Sequence, residues 1–217
     1  LFPSTEKLYT WGKGPDGTFI DSALETPRPF VVFGVRPCDA AAIERMDQVF
    51  LSKGYIDEFY QAKRNALTLV ARHVLAQAMR ASVTQWVRAQ TPLEGNDAFE
   101  VRVQTERGQA LADVWKPFLE EGEVDRQPIE CATKVSMEGV AEKLHGMFDS
   151  PLWDEVSTAC LTCGSCTFIC PTCHCFDLSQ ARKKEENARF RCWDSCMFKD
   201  YTLMAGNHNP REQKRNR

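Results

Sequence analysis

The sequence Cys160-Leu-Thr-Cys163-Gly-Ser-Cys166-Thr-Phe-Ile-Cys170-Pro171, here called the cysteine run, decides how the carboxyl-terminal part folds. Its spacing, C-x2-C-x2-C-x3-C-P, is typical of bacterial iron–sulfur ligation. Two-residue gaps let three thiolates from one tight turn reach three corners of a cubane, and Gly164 lets the backbone approach the inorganic sulfides. Thiolate is the soft ligand that such clusters select, so the run predicts a [4Fe-4S] site. The predicted ligands are Cys160, Cys163, Cys166 and Cys170.

Structural zinc is the main alternative for four thiolates, but zinc usually takes two CxxC pairs separated by a longer loop. A thioredoxin-type redox pair is a second alternative, and no thioredoxin-like strand context surrounds the run. The run therefore favours an iron–sulfur cluster over both.

The other nearby cysteines have two open interpretations. In two-cluster ferredoxins the fourth cysteine of a run ligates the other cluster, which requires a second run, and this sequence contains none. It clearly supports one cluster. The remaining cysteines either ligate or closely support a cluster, or they are buried beside it; they are Cys173, Cys175, Cys192 and Cys196. The last two would share a face if their segment were helical. His174 and His208 are expected to be exposed or hydrogen-bonded rather than ligands.

Cysteine distribution argues for metal rather than a disulfide scaffold. Eight of the ten cysteines fall between Cys160 and Cys196, whereas Cys38 and Cys131 stand alone. Dense CxxC spacing in a chain with no apparent signal peptide belongs to metal or redox chemistry. Cys38 precedes a predicted helix, where a thiol pKa falls, but a lone cysteine there is predicted to be structural. Cys131 receives no functional assignment.

Composition indicates a globular cytoplasmic protein of one or two domains. The chain has 217 residues, 43% of them hydrophobic, and no stretch of the roughly 18 uncharged apolar residues that a membrane span needs. The net charge of −3 and the pI near 5.9 argue against nucleic-acid binding. Basic clusters at 182–184 and 211–217 are predicted to be solvated surface. The chain starts without Met, and both ends look cut.

An α+β fold is predicted for residues 1–150. Short apolar or alternating segments predict strands at 30–35, 66–71 and 99–104, and a helix begins with Asp39 as its N-cap. Further helices are predicted over 109–119, with a break before Pro117, and over 132–148. Ser150-Pro151 marks a boundary, after which residues 151–217 are predicted to form a small, mainly helical ferredoxin-like domain.

Three segments together carry a family resemblance. They are Phe33-Gly-Val-Arg-Pro-Cys-Asp39, the stretch from Cys160 through Cys175, and Trp193-Asp-Ser-Cys196. The chain resembles the dicluster [4Fe-4S] electron-transfer subunits of anaerobic sulfite reductase (A subunit) and cytosolic sulfhydrogenase (beta subunit). The resemblance implies two clusters and electron relay between a flavin- and NAD(P)-binding subunit and a catalytic redox subunit. It also implies a second cysteine run beyond Arg217.

Residues 73–95 depart from that resemblance. The family is expected to carry Cys-Phe-Cys, Ser-Met-Gly and Gly-Pro there, whereas periodicity in this sequence predicts an amphipathic helix. Back-translation of Met79 to Pro92, read from the third base of a codon, permits the peptide A-C-F-C-D-S-M-G-T-G-P-D-A. We therefore hypothesise that compensating frameshifts bracket residues 72 to 97, so that this segment was never selected to fit its neighbours.

The preferred function is electron relay as a subunit of a larger cytoplasmic complex. No GxGxxG dinucleotide fingerprint is present, which disfavours a stand-alone reductase. The rival from another class is a zinc-stabilised binding module without a redox role.

Overall fold

The computed structural model describes residues 1–73, 86–90, 101–120, 135–183 and 186–217. Its strands are β1 (Thr5–Gly14), β2 (Gly17–Ser22), β3 (Phe30–Val35), β4 (Leu67–His73), β5 (Trp86–Gln90), β6 (Val101–Val103), β7 (Phe176–Lys183) and β8 (Glu186–Trp193). The α-helices are α1 (Pro37–Leu51), α2 (Glu58–Ala66), α3 (Glu106–Trp115), α4 (Val140–Gly146), α5 (Leu152–Thr158) and α6 (Ser165–Ile169). Short 3-10 helices lie at Lys116–Phe118, Lys199–Thr202 and Lys214–Asn216.

Contacts divide the chain into two compact units. The first unit comprises Leu1 and Leu24–Ala132, and the second comprises Phe2–Ala23 and Thr133–Arg217. The contacts thus group the first two strands with the cysteine-rich part, and the predicted boundary at residue 150 stays a prediction. In the described part of the chain, no helix is both long and apolar enough to cross a membrane.

The first unit is a mixed α/β structure around a sheet of order β3-β4-β5-β6. The β3–β4 and β4–β5 pairs are parallel, and the β5–β6 pair is antiparallel. Alternate residues of β4 point to opposite faces. Leu67, Leu69 and Ala71 pack with Ala40 of α1, while Val70 packs with Val101 and α3 residues. Burial of this strand on both faces explains why residues 67–71 are apolar apart from Thr68.

Helix α1 starts at Pro37, a position that suits the fixed φ of proline. Its N-cap is Arg36, so the prediction of Asp39 as the cap is wrong; Asp39 lies in the first turn. In that turn its carboxylate faces the positive end of the helix dipole. Tyr60 of α2 stacks on Phe50 with ring centroids 4.9 Å apart, which joins the two helices.

Other predicted elements have mixed outcomes. The strands at 30–35 and 66–71 are confirmed as β3 and β4, and β6 confirms the described part of the third. The break before Pro117 is confirmed, since α3 ends at Trp115. The helix predicted over 132–148 is wrong before residue 140: its described residues 135–139 are not helical, and Gly139 has φ 69°. Most of the helix predicted near 75–87 lies outside the described residues, but Trp86 and Val87 belong to β5.

The second unit contains an antiparallel sheet of order β2-β1-β8-β7. Strand β1 therefore pairs with a strand almost at the other end of the chain. Inside this sheet Glu6 and Arg191 form an ion pair of 2.6 Å, and each side chain is 6% exposed. The Arg191 guanidinium lies over the ring of Phe2 at 4.6 Å and that of Phe176 at 5.6 Å. The mainly helical character predicted after residue 151 is not confirmed, because β7 and β8 form a long hairpin there.

Candidate iron–sulfur site

The cysteine run starts after α5 and passes through two residues with positive φ, Thr162 at 56° and Gly164 at 75°. A side chain at Gly164 would also meet the Phe198 ring at 2.7 Å from its Cβ. Two features therefore favour glycine at this position: the positive φ, and the Phe198 ring that occupies the place of a side chain. The approach of the backbone to inorganic sulfide at Gly164 stays a prediction, and the space beside the glycine is taken by Phe198. Helix α6 then carries the chain to Cys170.

Thiols of the run receive hydrogen bonds from their own loop. The Thr162 backbone N–H donates to Cys160 Sγ at 3.4 Å. Cys163 Sγ pairs with the Ser165 hydroxyl at 3.2 Å, and Cys170 Sγ pairs with the Thr172 hydroxyl at 3.0 Å. The Ser165 hydrogen bond lowers the pKa of Cys163, and the Thr172 hydrogen bond lowers the pKa of Cys170. These hydrogen bonds therefore stabilise the thiolate form of both cysteines, which is the form that binds metal.

Three other cysteines are held near the run. The Asp194 backbone N–H donates to the Cys175 carbonyl at 3.0 Å, and the Cys173 N–H donates to the Cys170 carbonyl at 3.1 Å. A hydrogen bond of 2.6 Å joins the buried Thr167 and Ser195 hydroxyls, next in sequence to Cys166 and Cys196. These bonds connect the hairpin end, the turn after residue 193 and α6.

Burial changes the acidity of this second group. It raises the pKa of Cys173 to about 11 and also raises that of Cys196; neighbouring cysteine thiols add to both shifts. Burial raises the pKa of Tyr201 to about 12, helped by a hydrogen bond with Cys175. The two groups of cysteines thus lie in different surroundings.

Cys192 is placed differently from the other cysteines. It lies in strand β8, so the helix that was to pair it with Cys196 is wrong. Its thiol contacts the Asp177 carbonyl at 3.9 Å. Burial raises its pKa, and the carboxylates of Asp177 and Asp194 raise it further. An anionic surrounding of this kind disfavours a thiolate ligand.

His174 and Cys38 each contact residues close to them in sequence. His174 Nδ1 lies 3.0 Å from the Thr172 carbonyl, which confirms the expected hydrogen bonding. The exposed Cys38 contacts the Asp39 carboxylate beside it at 3.9 Å. Cys131 lies outside the described residues.

The basic carboxyl-terminal residues are exposed, as predicted, but they also make contacts that the sequence did not suggest. Lys214 Nζ donates to the Cys160 carbonyl at 2.8 Å, and Arg215 pairs with Asp154 of α5 at 3.1 Å. These contacts hold the carboxyl-terminal residues against α5 and the start of the cysteine run. The sequence shows only a cluster of basic residues there, and such a cluster does not indicate specific partners.

The donor chemistry fits a [4Fe-4S] cluster. Within the described ranges, no three Cys, His, Asp or Glu side chains converge as ligands of a lone ion. A cubane makes a different demand, because each of its four irons takes one thiolate. The four cysteines of the run lie within eleven consecutive residues, and an N–H or hydroxyl group is hydrogen-bonded to the sulfurs of Cys160, Cys163 and Cys170. Such a cluster supplies one-electron chemistry, and hydrogen bonds to sulfur help to set its potential.

Comparison with known proteins agrees with this chemistry. Residues 159–217 match a family model described as a 4Fe-4S dicluster domain. Over 207 residues, covering 87% of this chain, the sequence is 28% identical to sulfhydrogenase 2 subunit beta of Pyrococcus furiosus. The aligned part spans 61% of that relative's length. No solved structure gives a significant match.

Three observations support the similarity to this family. The cysteine run has the ligand spacing, its sulfurs receive hydrogen bonds, and the similarity extends far outside the run. These observations also establish [4Fe-4S] binding as the cofactor chemistry of the chain. The chain is similar to dicluster [4Fe-4S] electron-transfer subunits, in its cysteine-rich part by the family match and over most of its length by the sulfhydrogenase subunit.

Proposed function

We propose that the chain relays electrons between a flavin- and NAD(P)-binding reductase subunit and a catalytic redox subunit in the cytoplasm. The catalytic subunit is of the sulfite reductase or hydrogenase type. The relative's name, sulfhydrogenase 2 subunit beta, describes a component of a multisubunit enzyme and supports a partner of this kind. The chain itself acts as a carrier and not as a stand-alone catalyst.

The proposed ligands are the four cysteines of the run: Cys160, Cys163, Cys166 and Cys170. The observation that carries this proposal is the pairing of ligand spacing with thiolate-stabilising hydrogen bonds at Cys163 and Cys170. Backbone and hydroxyl donors around cluster sulfurs also tune the reduction potential.

Exposure of the run supports contact with redox partners. Leu161 and Ile169 are 85% and 80% exposed, and they lie between ligand positions. An electron-transfer partner must approach a cluster closely, and small apolar contacts suit a transient encounter of this type. Docking at this loop would bring the partner to the cluster without burying a large area.

Anaerobic purification tests the proposal. The protein is expected to be brown, to contain iron and acid-labile sulfide, and to bleach on dithionite. Cys163→Ser should remove cluster signal, whereas Cys38→Ser, at an exposed thiol outside the run, should leave it intact. A colourless protein that contains stoichiometric zinc would contradict the carrier function and would favour the zinc-stabilised binding module.

Relay itself needs a separate measurement. Stopped-flow mixing of the reduced protein with an oxidised flavoprotein reductase of the proposed class should show cluster oxidation matched by flavin reduction. If a protein with an intact cluster transferred no electrons to such flavoproteins, the relay function would be wrong. Cluster binding would be unaffected by that result.

A further inference from the structure

The antiparallel sheet of the second unit has one face that combines an aromatic ring with cations. Directly opposed residues of an antiparallel pair point to the same face. The register places Trp11 of β1 opposite Asn187 of β8, and Asn187 opposite Arg182 of β7. Two residues further along β1, Lys13 lies opposite Thr18 of β2. Because alternate residues of a strand share a face, all five side chains project from the same side of the sheet.

These five side chains line one groove, here called the hairpin groove, at the turn end of the β1–β2 hairpin. Its volume is about 830 Å³, and small-molecule sites usually have roughly 300–1,000 Å³. Gly12 and Gly14 also line it, so the backbone of β1 forms part of its wall. The Asn187 side chain donates from Nδ2 to the Trp11 carbonyl at 3.2 Å, which holds it against β1.

Positive charge dominates the described lining of the hairpin groove. Lys13 and Arg182 both line it and are both exposed. In the part of the chain that the structure describes, neither side chain forms a salt bridge with a carboxylate. The planar guanidinium of arginine matches a phosphate with two parallel hydrogen bonds, and lysine adds a point charge. The groove therefore suits a phosphate group.

Aromatic rings lie beside these cations. The rings of Tyr9 and Trp11 have centroids 5.7 Å apart. Tyr9 is 38% exposed and lies opposite Arg189, so the next row of the same face repeats the combination of ring and cation. Trp11 is itself partly exposed. An accessible aromatic face next to cations is the arrangement on which proteins stack nucleobases.

The hairpin groove lies at the opposite end of β8 from the cysteine run. Phe168 of α6 packs on Trp193 with ring centroids 5.4 Å apart, which marks the end of the strand near the run. Asn187 precedes Trp193 by six residues, or roughly 20 Å of extended strand. The ion pair between Glu6 and Arg191 lies between them on the same face. A ligand in the groove would therefore not contact the proposed cluster ligands.

We propose that the hairpin groove binds a nucleotide, with its base stacked on Trp11 and its phosphates held by Lys13 and Arg182. The aromatic ring, the two cations and the volume of the groove match the base, the phosphates and the size of such a ligand. A net charge of −3 favours a free nucleotide over a nucleic acid. The site is separate from the proposed electron relay and does not depend on it.

Calorimetric titration of the anaerobically purified 217-residue protein with ADP tests the site. Adenosine and inorganic pyrophosphate are titrated separately. ADP should bind more tightly than either, because only ADP supplies both the ring and the phosphates. The ADP affinity should also fall as salt is added, since screening weakens the attraction between exposed charges. Iron content is measured in every sample.

Substitutions in the groove assign the contacts. Lys13→Gln and Arg182→Gln should each weaken ADP binding roughly tenfold, because each removes a charge-assisted hydrogen bond. Trp11→Ala should also weaken it roughly tenfold, whereas Trp11→Phe should retain most of the affinity. The matched control is Lys7→Gln, which changes an exposed lysine of the same strand. Lys7 lies opposite Phe190, on the other face of the sheet, so this variant should bind ADP normally.

Several results would overturn the nucleotide site. Absence of ADP binding would do so, as would equal weakening in Lys7→Gln and Arg182→Gln, which would show unspecific attraction. Pyrophosphate that bound as tightly as ADP, with no effect of Trp11→Ala, would show an anion site without a place for a base. Tighter binding of oligouridylate than of ADP would assign the face to nucleic acid.

Two controls keep these outcomes apart from folding and from the relay function. Far-UV circular dichroism and iron content show whether each variant keeps its fold and its cluster. A brown protein that binds no ADP would lack the nucleotide site and keep the proposed function. A colourless protein that binds ADP would lose the proposed function and keep the nucleotide site.

Discussion

The two units of the molecule are stabilised by different kinds of side chain. In the first unit the buried residues are mainly hydrophobic, including Met46, Phe50, Leu69 and Val70. Among the described residues of the second unit no hydrophobic side chain is buried; Glu6, Thr167, Arg191 and Ser195 are. Buried apolar area is the main source of folding free energy, so the second unit has little of it. A small domain without such a core usually relies on metal or disulfides.

Removal of iron should therefore produce the largest difference between the units. We expect an anaerobic chelator to remove amide protection from β1, β7 and β8 while β4 stays protected, because the proposed ligands lie in the same unit as the first three strands and cluster binding contributes folding free energy to that unit. Hydrogen exchange with mass spectrometry measures both regions in one sample. Equal protection of β8 with and without iron would show that the polar core suffices.

The buried ion pair gives the next largest effect. Glu6→Gln leaves the Arg191 charge without its carboxylate at a site that is 6% exposed. The expected cost is about 3–5 kcal/mol in the second unit. Urea-dependent hydrogen exchange in β8 measures it.

Glu212→Gln is the control for that change. Glu212 lies 3.9 Å from Lys199, and both side chains are largely exposed. Loss of this pair should cost about 0–1 kcal/mol. Similar costs for Glu6→Gln and Glu212→Gln would contradict a structural role for the buried pair.

Leu69→Ala tests the first unit by the same measurement. Leu69 is fully buried against Ala40 and its neighbours, so its truncation should cost about 2–5 kcal/mol in β4. Iron content should not change, since these contacts lie within the first unit. Phe118→Ala, at a side chain that is 85% exposed, should cost less than about 0.5 kcal/mol. Loss of iron in Leu69→Ala would show that the two units depend on each other.

The same contrast explains which parts of the fold the sequence could predict. β3 is a short apolar run, β4 is mainly apolar from Leu67 to Ala71, and the apolar period of α1 directly follows β3, so local patterns suffice. β1 was missed because the residues on its more buried face are Glu6, Leu8, Thr10 and Gly12, which do not alternate as apolar and polar. Its pairing with β8 also joins the two ends of the chain, which no local pattern encodes. The turn sequence Gly14-Pro-Asp-Gly17 was the one available signal for its hairpin.

Candidate-site residues divide in the same way. Spacing alone predicted the cysteine run as a ligand set, because the predicted ligands are close together in the sequence. The hydrogen bond from the Asp194 N–H to the Cys175 carbonyl depends on the register of β7 and β8, so spacing could not predict it. The frameshift hypothesis for residues 73–95 stays a prediction. Sequencing the gene tests it: codons that cannot encode the shifted peptide would eliminate it.

The smallest effect is expected in the alkylation rates of the thiols in the iron-free protein. The comparison is between a cysteine of the run and one of the more buried cysteines that follow it. Hydrogen bonding lowers the pKa of Cys163, whereas burial raises that of Cys173 to about 11. A thiol is alkylated as thiolate, so near pH 8 Cys163 should react faster. At pH 8 the raised pKa reduces the thiolate fraction of Cys173 roughly a hundredfold relative to an ordinary thiol. Because a more basic thiolate is also more nucleophilic, the expected reduction in its alkylation rate is roughly tenfold.

Raising the pH toward 11 should narrow the difference in alkylation rate between Cys163 and Cys173, because Cys173 ionises. Mass spectrometry of iodoacetamide-labelled peptides across that range measures both rates. Equal rates at pH 8 would mean that the hydrogen bonds at the run do not persist without iron, and that the cluster itself orders the loop.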